Sequence, residues 1–332
     1  QRIKKIDEIF SGYNKTYLNI SLSKHRIPKI SEIGSNIKIF KLNYFLHYKK
    51  IERIFRKSKN IYIHSLYNFR ALRNSFLTDK NIIFDVHGIV PEELAFLKKR
   101  LKSYLFKRLE ENILKYNPYW VFVSESMKDH YKKMYKDIKG IVYPVLPITL
   151  GNDNEDEKLS LFRKMLGLNE NDIVIIYTGN TQKWQNVKLI ASIIAKDENP
   201  LHKYILLTGE KNEFKKILTR ERVDFSKVIL ESVDPSQLQL YYRLSHYGFI
   251  LRDDHVLNAV ACPTKLLEYM YYGIIPIVKT THIGDFSSFE YEYVNYKEIN
   301  KLTTPKKSQN NTEVLKAMFN KYKEENVLNL IK

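Results

Sequence analysis

The chain has 332 residues, more than one hydrophobic core usually serves, and 44% of them are apolar, so two packed domains are expected and a disordered polymer is excluded. Its lone cysteine, Cys262, excludes an intrachain disulfide and suits a reducing cytoplasm; no uncharged apolar run approaches the ~18 residues of a spanning helix, and no signal peptide opens the chain. The net charge of +18 is lopsided: residues 1–150 carry 30 Lys and Arg against 13 Asp and Glu, residues 151–332 carry 25 against 24, which points to an anionic partner for the first half.

In chain order, QRIKKIDEIF reads as a helix where an α/β domain normally opens with a strand, so the first domain reads as lacking its opening strand and glycine loop. Short β-rich runs then alternate with helical patterns, at Thr16–Leu22, Ile37–Phe40, Ile61–Ser65, Ile82–Val86, Tyr119–Ser124 and Ile141–Tyr143. That alternation predicts a parallel doubly wound sheet. Residues 41–60 hold seven Lys and Arg, one Glu and the aromatics Tyr44, Phe45, Tyr48 and Phe55. In residues 94–114, Leu97, Leu101, Leu105 and Leu109 recur every four positions among six Lys and Arg. Such a stripe is expected to be the core face of a helix; a membrane-surface helix is the alternative for both segments. The loop FDVHGIVPEE, 84–93, follows an apolar run, so His87 should sit at a strand's carboxyl end, with Gly88 allowing a sharp turn. Pro91, Glu92 and Glu93 read as a helix start, and Ser124 as a strand-end hydroxyl and cap.

Residues 144–172 shift in composition and read as the linker and first helix between domains 1–150 and 151–332. Ile173–Tyr177 is a predicted strand, and Thr178, Gly179 and Asn180 turn from it into a helix near Trp184 with Lys183 at its mouth. Further strands are expected at Tyr204–Leu207, ahead of Gly209, at Val228–Leu230, ahead of Val233, and at Tyr247–Leu251, with a helix at Thr312–Tyr322. The stretch Leu251–Val278 carries the most information. It reads as strand, long loop, a helix bounded by Pro263 and Gly273, and a strand from Ile274 to Val278. Lys265 and Glu268, three apart, share one helix face: the ammonium suits phosphate oxygens and the carboxylate a ribose diol. The same residues also fit an ordinary helix capped by Thr264 or Cys262 with a surface ion pair, and Cys262 itself reads as a small buried hydrophobe.

YTGN at 177–180, KWQ at 183–185, LLTGE at 206–210, LR at 251–252 and NAVACPTKLLEYMYYGIIPIV at 258–278 together resemble the C-terminal domain of retaining nucleotide-sugar glycosyltransferases of the GT-B type, family 4 (group 1). FDVHGIVPEE resembles the first-domain loop of that family. The resemblance implies two Rossmann-like doubly wound domains facing across a cleft, and transfer of a sugar with retention from a nucleotide diphosphate sugar, a UDP-sugar expected, to a hydroxyl. It implies Lys183, Arg252 and Lys265 near the diphosphate, Glu268 on the ribose, and His87 near the transferred sugar. Gly179, Asn180, Gly209, Val233 and Thr264 are carried along as donor-side positions.

The sequence departs from the family at Val260, where a glutamate commonly precedes the second by eight positions, so Asp253, Asp254, Asn258 or backbone N–H groups of the loop are candidate substitutes; Glu92, Ser124, Asp254 and Asn258 are carried as candidates on the acceptor or sugar side. RDD at 252–254 lacks the spacing of a metal motif, so no metal and no cofactor are expected. The expected partners are the donor, a saccharide or lipid-linked saccharide acceptor and an anionic membrane surface, with the protein cytoplasmic and peripheral on the inner face of the cell membrane in surface-polysaccharide or glycolipid synthesis. Nucleic acid is not expected, since no nucleic-acid module accompanies the charge. A sugar-nucleotide epimerase of the same architecture is the other enzyme these donor motifs fit.

Overall fold

The computed structural model describes residues 2–144, 156–322 and 327–331. The chain divides into two compact units, Gln1–Val145 with Lys323–Lys332, and Leu146–Tyr322.

Unit 1 runs α1 (Arg2–Ile9), β1 (Lys15–Ser21), β2 (Lys29–Ile33), β3 (Ile37–Asn43), α2 (Tyr48–Lys57), β4 (Asn60–His64), α3 (Ser65–Phe69), α4 (Asn74–Leu77), β5 (Asn81–Asp85), α5 (Val90–Phe96), α6 (Arg100–Ile113), β6 (Tyr119–Phe122), α7 (Glu125–Met134) and β7 (Lys139–Val142). β4 to β7 form one parallel sheet in chain order, as the alternation of apolar runs and helices predicts. β1, β3 and β2 form a second sheet in which β2 lies antiparallel to β3. The sequence reading had no strand at β2. All five of its residues are exposed, so no burial imposes an apolar alternation there.

Period two sorts the side chains of the parallel sheet. Phe84, Trp120 and Phe122 turn to one face with Tyr131 of α7, while Ile83 and Val121 turn to the other, against Ile6 of α1 and Phe10 just after it. Gly140 is required where β7 passes Trp120, since a Cβ would stand 2.4 Å from the Trp120 carbonyl oxygen. Val327 and Leu330 complete the α1 face, and the Asn81 side chain donates to the Leu330 carbonyl at 2.7 Å. The last residues thus pack on unit 1 instead of extending unit 2, because their apolar run finds its burial there.

The leucine stripe of residues 97–109 is not the core face. Leu101 and Leu105 are exposed, and α6 instead buries Phe106, Glu110 and Ile113. Two physical reasons account for this. The helix breaks at Lys98, whose φ of +60° re-aims α6 relative to α5. A four-residue step also advances about 40° beyond a full turn, so a strict fourfold stripe winds off any one face.

Unit 2 runs α8 (Asp156–Met165), β8 (Ile173–Thr178), α9 (Val187–Lys196), β9 (His202–Leu207), α10 (Lys211–Arg220), β10 (Val228–Glu231), α11 (Leu238–Leu244), β11 (Tyr247–Ile250), α12 (Val256–Ala259), α13 (Thr264–Tyr271), β12 (Ile275–Val278), β13 (Val294–Asn295) and α14 (Gln309–Tyr322). Of the expected linker, 145–155 lies outside the described residues. All six strands pair in parallel in the order β10-β9-β8-β11-β12-β13. Every residue of β8, β11 and β12 is buried, as expected of central strands covered by helices on both faces. One core layer gathers Val174, Ile176 and α13 side chains, the other Ile173, Ile175, Tyr177 and α9 side chains. α13 ends at Gly273, whose φ of +66° is the left-handed stop that the sequence marks with glycine.

Candidate functional site

From β8 the chain of unit 2 steps outward through β9 to β10, then returns to add β11, β12 and β13 on the other side. A parallel sheet opens a crevice at such a reversal, outside the carboxyl ends of its strands. The loops after β8 and β11 and the start of α13 lie at that end.

Lys265, in the first turn of α13, stands 3.9 Å above the centre of the Tyr177 ring and 3.2 Å from Gln185 Oε1. Gly179 has φ +147°, and a Cβ there would come within 3.2 Å of the Lys265 ammonium; glycine keeps that approach open. Burial, then the charge of Arg252, push Lys265 well below the usual lysine range, with Glu268 acting the other way. Arg252 follows β11 and donates to Asn258 Oδ1 at 3.1 Å. Burial lowers it to about 10, opposed by Tyr177 and Cys262. Two cations that have lost water and lie within each other's field gain free energy by taking up an anion. Tyr177 partly offsets the cost, since a desolvated ammonium over a ring face gains about 2 kcal/mol.

Glu268 sits one turn deeper on α13. Its Oε2 accepts from the Tyr242 hydroxyl at 2.8 Å, and that hydroxyl lies 3.1 Å from Thr178 Oγ1. Burial, then the Glu268 charge, hold the Tyr242 phenol protonated. A neutral buried donor therefore aims the carboxylate.

Hydrogen bonds join the surrounding loops. Asn180 accepts from Gln182 N through Oδ1 at 3.2 Å and from the Tyr177 hydroxyl through its carbonyl at 2.6 Å. Asn186 donates to the Leu251 carbonyl at 2.7 Å, linking the loop after β8 to that after β11. Glu210 Oε2 accepts from Thr181 N at 2.7 Å, linking the loops after β8 and β9. Lys183 is exposed on a single 3-10 turn, Gly209 has open space around it, and Val233 packs half-buried on the core. Thr264 opens α13, and neither it nor Cys262 caps the helix: Pro263 holds that position without a side-chain bond.

Asp254, Asn258 and Val260 lie on and beside α12, a four-residue helix. Asn258 is buried, holds Arg252 and donates to the Asp253 carbonyl at 2.8 Å. Asp254 is exposed beside His282, 3.3 Å away, and Val260 is 5% exposed. The sequence presents α12 as part of one loop.

In unit 1, Asp85 ends β5 fully buried and gathers three partners. Arg2 donates from Nε at 2.8 Å, His64 Nδ1 lies 3.1 Å away and His87 Nε2 2.9 Å away. Burial alone would raise Asp85, but Arg2 and the two imidazoles outweigh it and hold the carboxyl far below its usual range. Among the described residues, His64, Asp85 and His87 are the one group whose metal-type ligand atoms lie within 4.8 Å of one another. Arg2 binds both oxygens of that carboxylate, so a guanidinium already takes the lone pairs a metal would need. Gly88 lies at the bend between β5 and α5 without a left-handed φ, and a Cβ there would stand 2.2 Å from Glu93 Oε1, the end of a side chain that can move aside. Burial, then the charge of Glu92, raise Glu93. Glu92 lies 3.6 Å from His130, and Ser124 is a buried cap whose Oγ accepts from Met127 N at 3.0 Å.

Sequence reasoning named Arg252, Lys265, Glu268 and His87, and Asn258 in a different role, but not Tyr242 or Asp85, which hold Glu268 and His87. His64 carried a usable signal, a polar residue ending an apolar run like His87. Tyr242 carried none, and neither did the bond from Arg252 to Asn258, because both depend on which way α11 and α12 turn.

No family model and no curated protein matches the sequence. Solved structures do match. Sucrose-phosphate synthase from Thermosynechococcus elongatus aligns with a TM-score of 0.69 at 12% identity, over 96% of this chain and 88% of that one. HepE from Anabaena, in complex with UDP-glucose, aligns at 0.60 and 15% identity over 86% and 76%. WaaG, a glycosyltransferase involved in lipopolysaccharide biosynthesis, aligns at 0.59 and 10% identity over 86% and 80%. The fold is therefore that of the GT-B glycosyltransferases, a class of transferases. Within it this chain is similar to these three proteins, and at such identities the likeness is one of fold.

Proposed function

We propose that the protein is a retaining glycosyltransferase that moves a sugar from a nucleotide diphosphate sugar to a hydroxyl of a saccharide or lipid-linked saccharide. The observation that carries this reading is the pair of half-buried cations, Arg252 held by Asn258 and Lys265 over the Tyr177 ring, beside an aimed carboxylate, Glu268, at the reversal point of the second sheet. Arg252, Lys265 and Lys183 take the diphosphate, and Glu268 accepts from the ribose diol. A UDP-sugar is the proposed donor, supported by the UDP-glucose bound in HepE. As the bond to the diphosphate breaks, negative charge grows on its oxygens, so cations placed beforehand stabilise the transition state more than the ground state. On the front-face path the leaving diphosphate takes the acceptor's proton and needs no separate base. His87, whose Nε2 donates to Asp85, is proposed to accept from a hydroxyl of the transferred sugar through Nδ1. With three protein cations, Arg252, Lys265 and Lys183, at the diphosphate, turnover is proposed to need no metal and to survive EDTA. The proposed setting is bacterial surface-polysaccharide or glycolipid synthesis at the cytoplasmic face of the cell membrane.

A thermal-shift panel of nucleotide diphosphates and their sugars tests the reading. A ligand at a hundredfold its dissociation constant stabilises by about 2.7 kcal/mol. Glu268→Ala should remove most of that shift, since each bond to a charged acceptor is worth ~1.5–3 kcal/mol. Tyr242→Phe should reduce it less, because only the aim of the carboxylate is lost. No shift with any nucleotide would sink the donor site. An epimer of the input sugar appearing without free nucleotide diphosphate would replace transfer by epimerisation.

A further inference from the structure

Helix α6 turns toward solvent a face that folded domains ordinarily hide. Leu101, Tyr104 and Leu105 are 73%, 59% and 56% exposed. Steps of three and four residues put them with Arg108 on one side of the helix, opposite the buried Phe106, Glu110 and Ile113. Lys98, Lys99, Arg100, Lys102 and Arg108 surround the apolar group, and all five are exposed. Residues 98–115 carry seven Lys and Arg against two Glu, and one of these, Glu110, is turned inward to the Tyr131 and Tyr135 hydroxyls at 2.6 Å each. The rim that reaches solvent is therefore almost wholly cationic.

We infer that this face of α6 docks unit 1 on an anionic lipid surface. Three large apolar groups within a ring of cations suit the boundary between headgroups and acyl chains, where the leucines and the tyrosine leave water while the cations meet lipid phosphates. The alternatives fit less well. A second copy would bring the same cations to the contact and be repelled. A nucleic acid would meet the cations but give two leucines nothing to bury against. The inference rests on the peripheral-membrane part of the proposed function, and its test uses neither nucleotide nor turnover, so failure here leaves the transfer chemistry standing.

The test is flotation of the full chain with phosphatidylcholine vesicles, with and without phosphatidylglycerol. The wild type should float with the anionic vesicles and less so as salt rises, because exposed charges are screened within about 8 Å at physiological ionic strength. Each cation at the surface should strengthen binding about fivefold, the equivalent of ~1 kcal/mol. L101S/Y104S/L105S and, separately, K98A/K99A/R100A/K102A should each cut binding by about tenfold or more. K132A/K133A on α7, which removes two exposed cations elsewhere, should stay within about twofold of wild type. The α6 substitutions touch exposed side chains, so unchanged melting temperatures are expected and confirm folding. The inference is overturned by a wild type that stays at the bottom of the gradient with anionic vesicles, or by α6 variants that float like wild type. A dimer that disappears in the apolar variant would overturn it in favour of self-association. A DNA or RNA gel shift at matched ionic strength without flotation would overturn it in favour of a polyanion.

Discussion

Lys265 is a cation held where its charge is costly, so on the proposed reading its proton would report on ligand binding. The free protein holds it well below the usual lysine range, through burial and Arg252, and a bound diphosphate would raise it again. Between those two values the complex holds a proton that the free protein lacks. Diphosphate binding should thus take up protons on the alkaline side, and affinity should fall as pH rises through the lowered value. Calorimetry in two buffers of different ionisation enthalpy reads this directly: the apparent heats should differ for wild type and converge for Lys265→Met. Equal heats for the wild type would mean that the ammonium is not at the diphosphate. Without ligand the sign for stability is opposite. The unfolded chain binds more protons in that window, so Lys265 costs least at high pH. Asp85, held low, contributes stability that is present above the ordinary carboxylate pKa and is lost as pH falls.

At the scale of elements, α13 carries both Lys265 and Glu268, and its seat on the sheet depends on one glycine. A Cβ at Gly248 in β11 would stand 2.3 Å from the Tyr269 ring, and Tyr269 is fully buried, so the ring has little room to yield. Gly248→Ala should destabilise by about 1–3 kcal/mol, the usual cost of overpacking a core. It should also weaken nucleotide binding, because the helix must lift or turn. Denaturant unfolding together with nucleotide titration checks both effects. A variant that is destabilised yet binds like wild type would show that the strain is absorbed away from α13. α13 was legible in the sequence, since Pro263 and Gly273 bracket an apolar-periodic run. α12 was not, because four residues are too few to show a period.

At the scale of the molecule, two units built on the same principle carry different chemistry, and they can be perturbed separately. His87 belongs to unit 1, while Arg252, Lys265 and Glu268 belong to unit 2. His87→Ala should therefore leave the nucleotide-induced thermal shift unchanged while turnover falls about tenfold or more, since a contact to the transferred sugar acts on the reaction step. Wild-type turnover in a folded variant would remove His87 from the chemistry, and a lost shift would place it on the nucleotide instead.

Much of this molecule followed from the order of its residues. Central parallel strands are buried on both faces, so 173–177 and 247–251 had to be continuous apolar runs. Tertiary structure decided the rest. Which neighbour a polar side chain holds depends on directions set several elements away: Asn258 shows in the sequence only as a loop residue, and α12 turns it onto Arg252, while Asp85 passed as the apolar strand's end until Arg2, 83 residues distant, folded against it. The leucines of α6 make the same point in reverse. Their spacing read as a core, but a left-handed residue at Lys98 and the drift of a fourfold stripe turned them to the solvent, because a helix buries the face its neighbours leave room for.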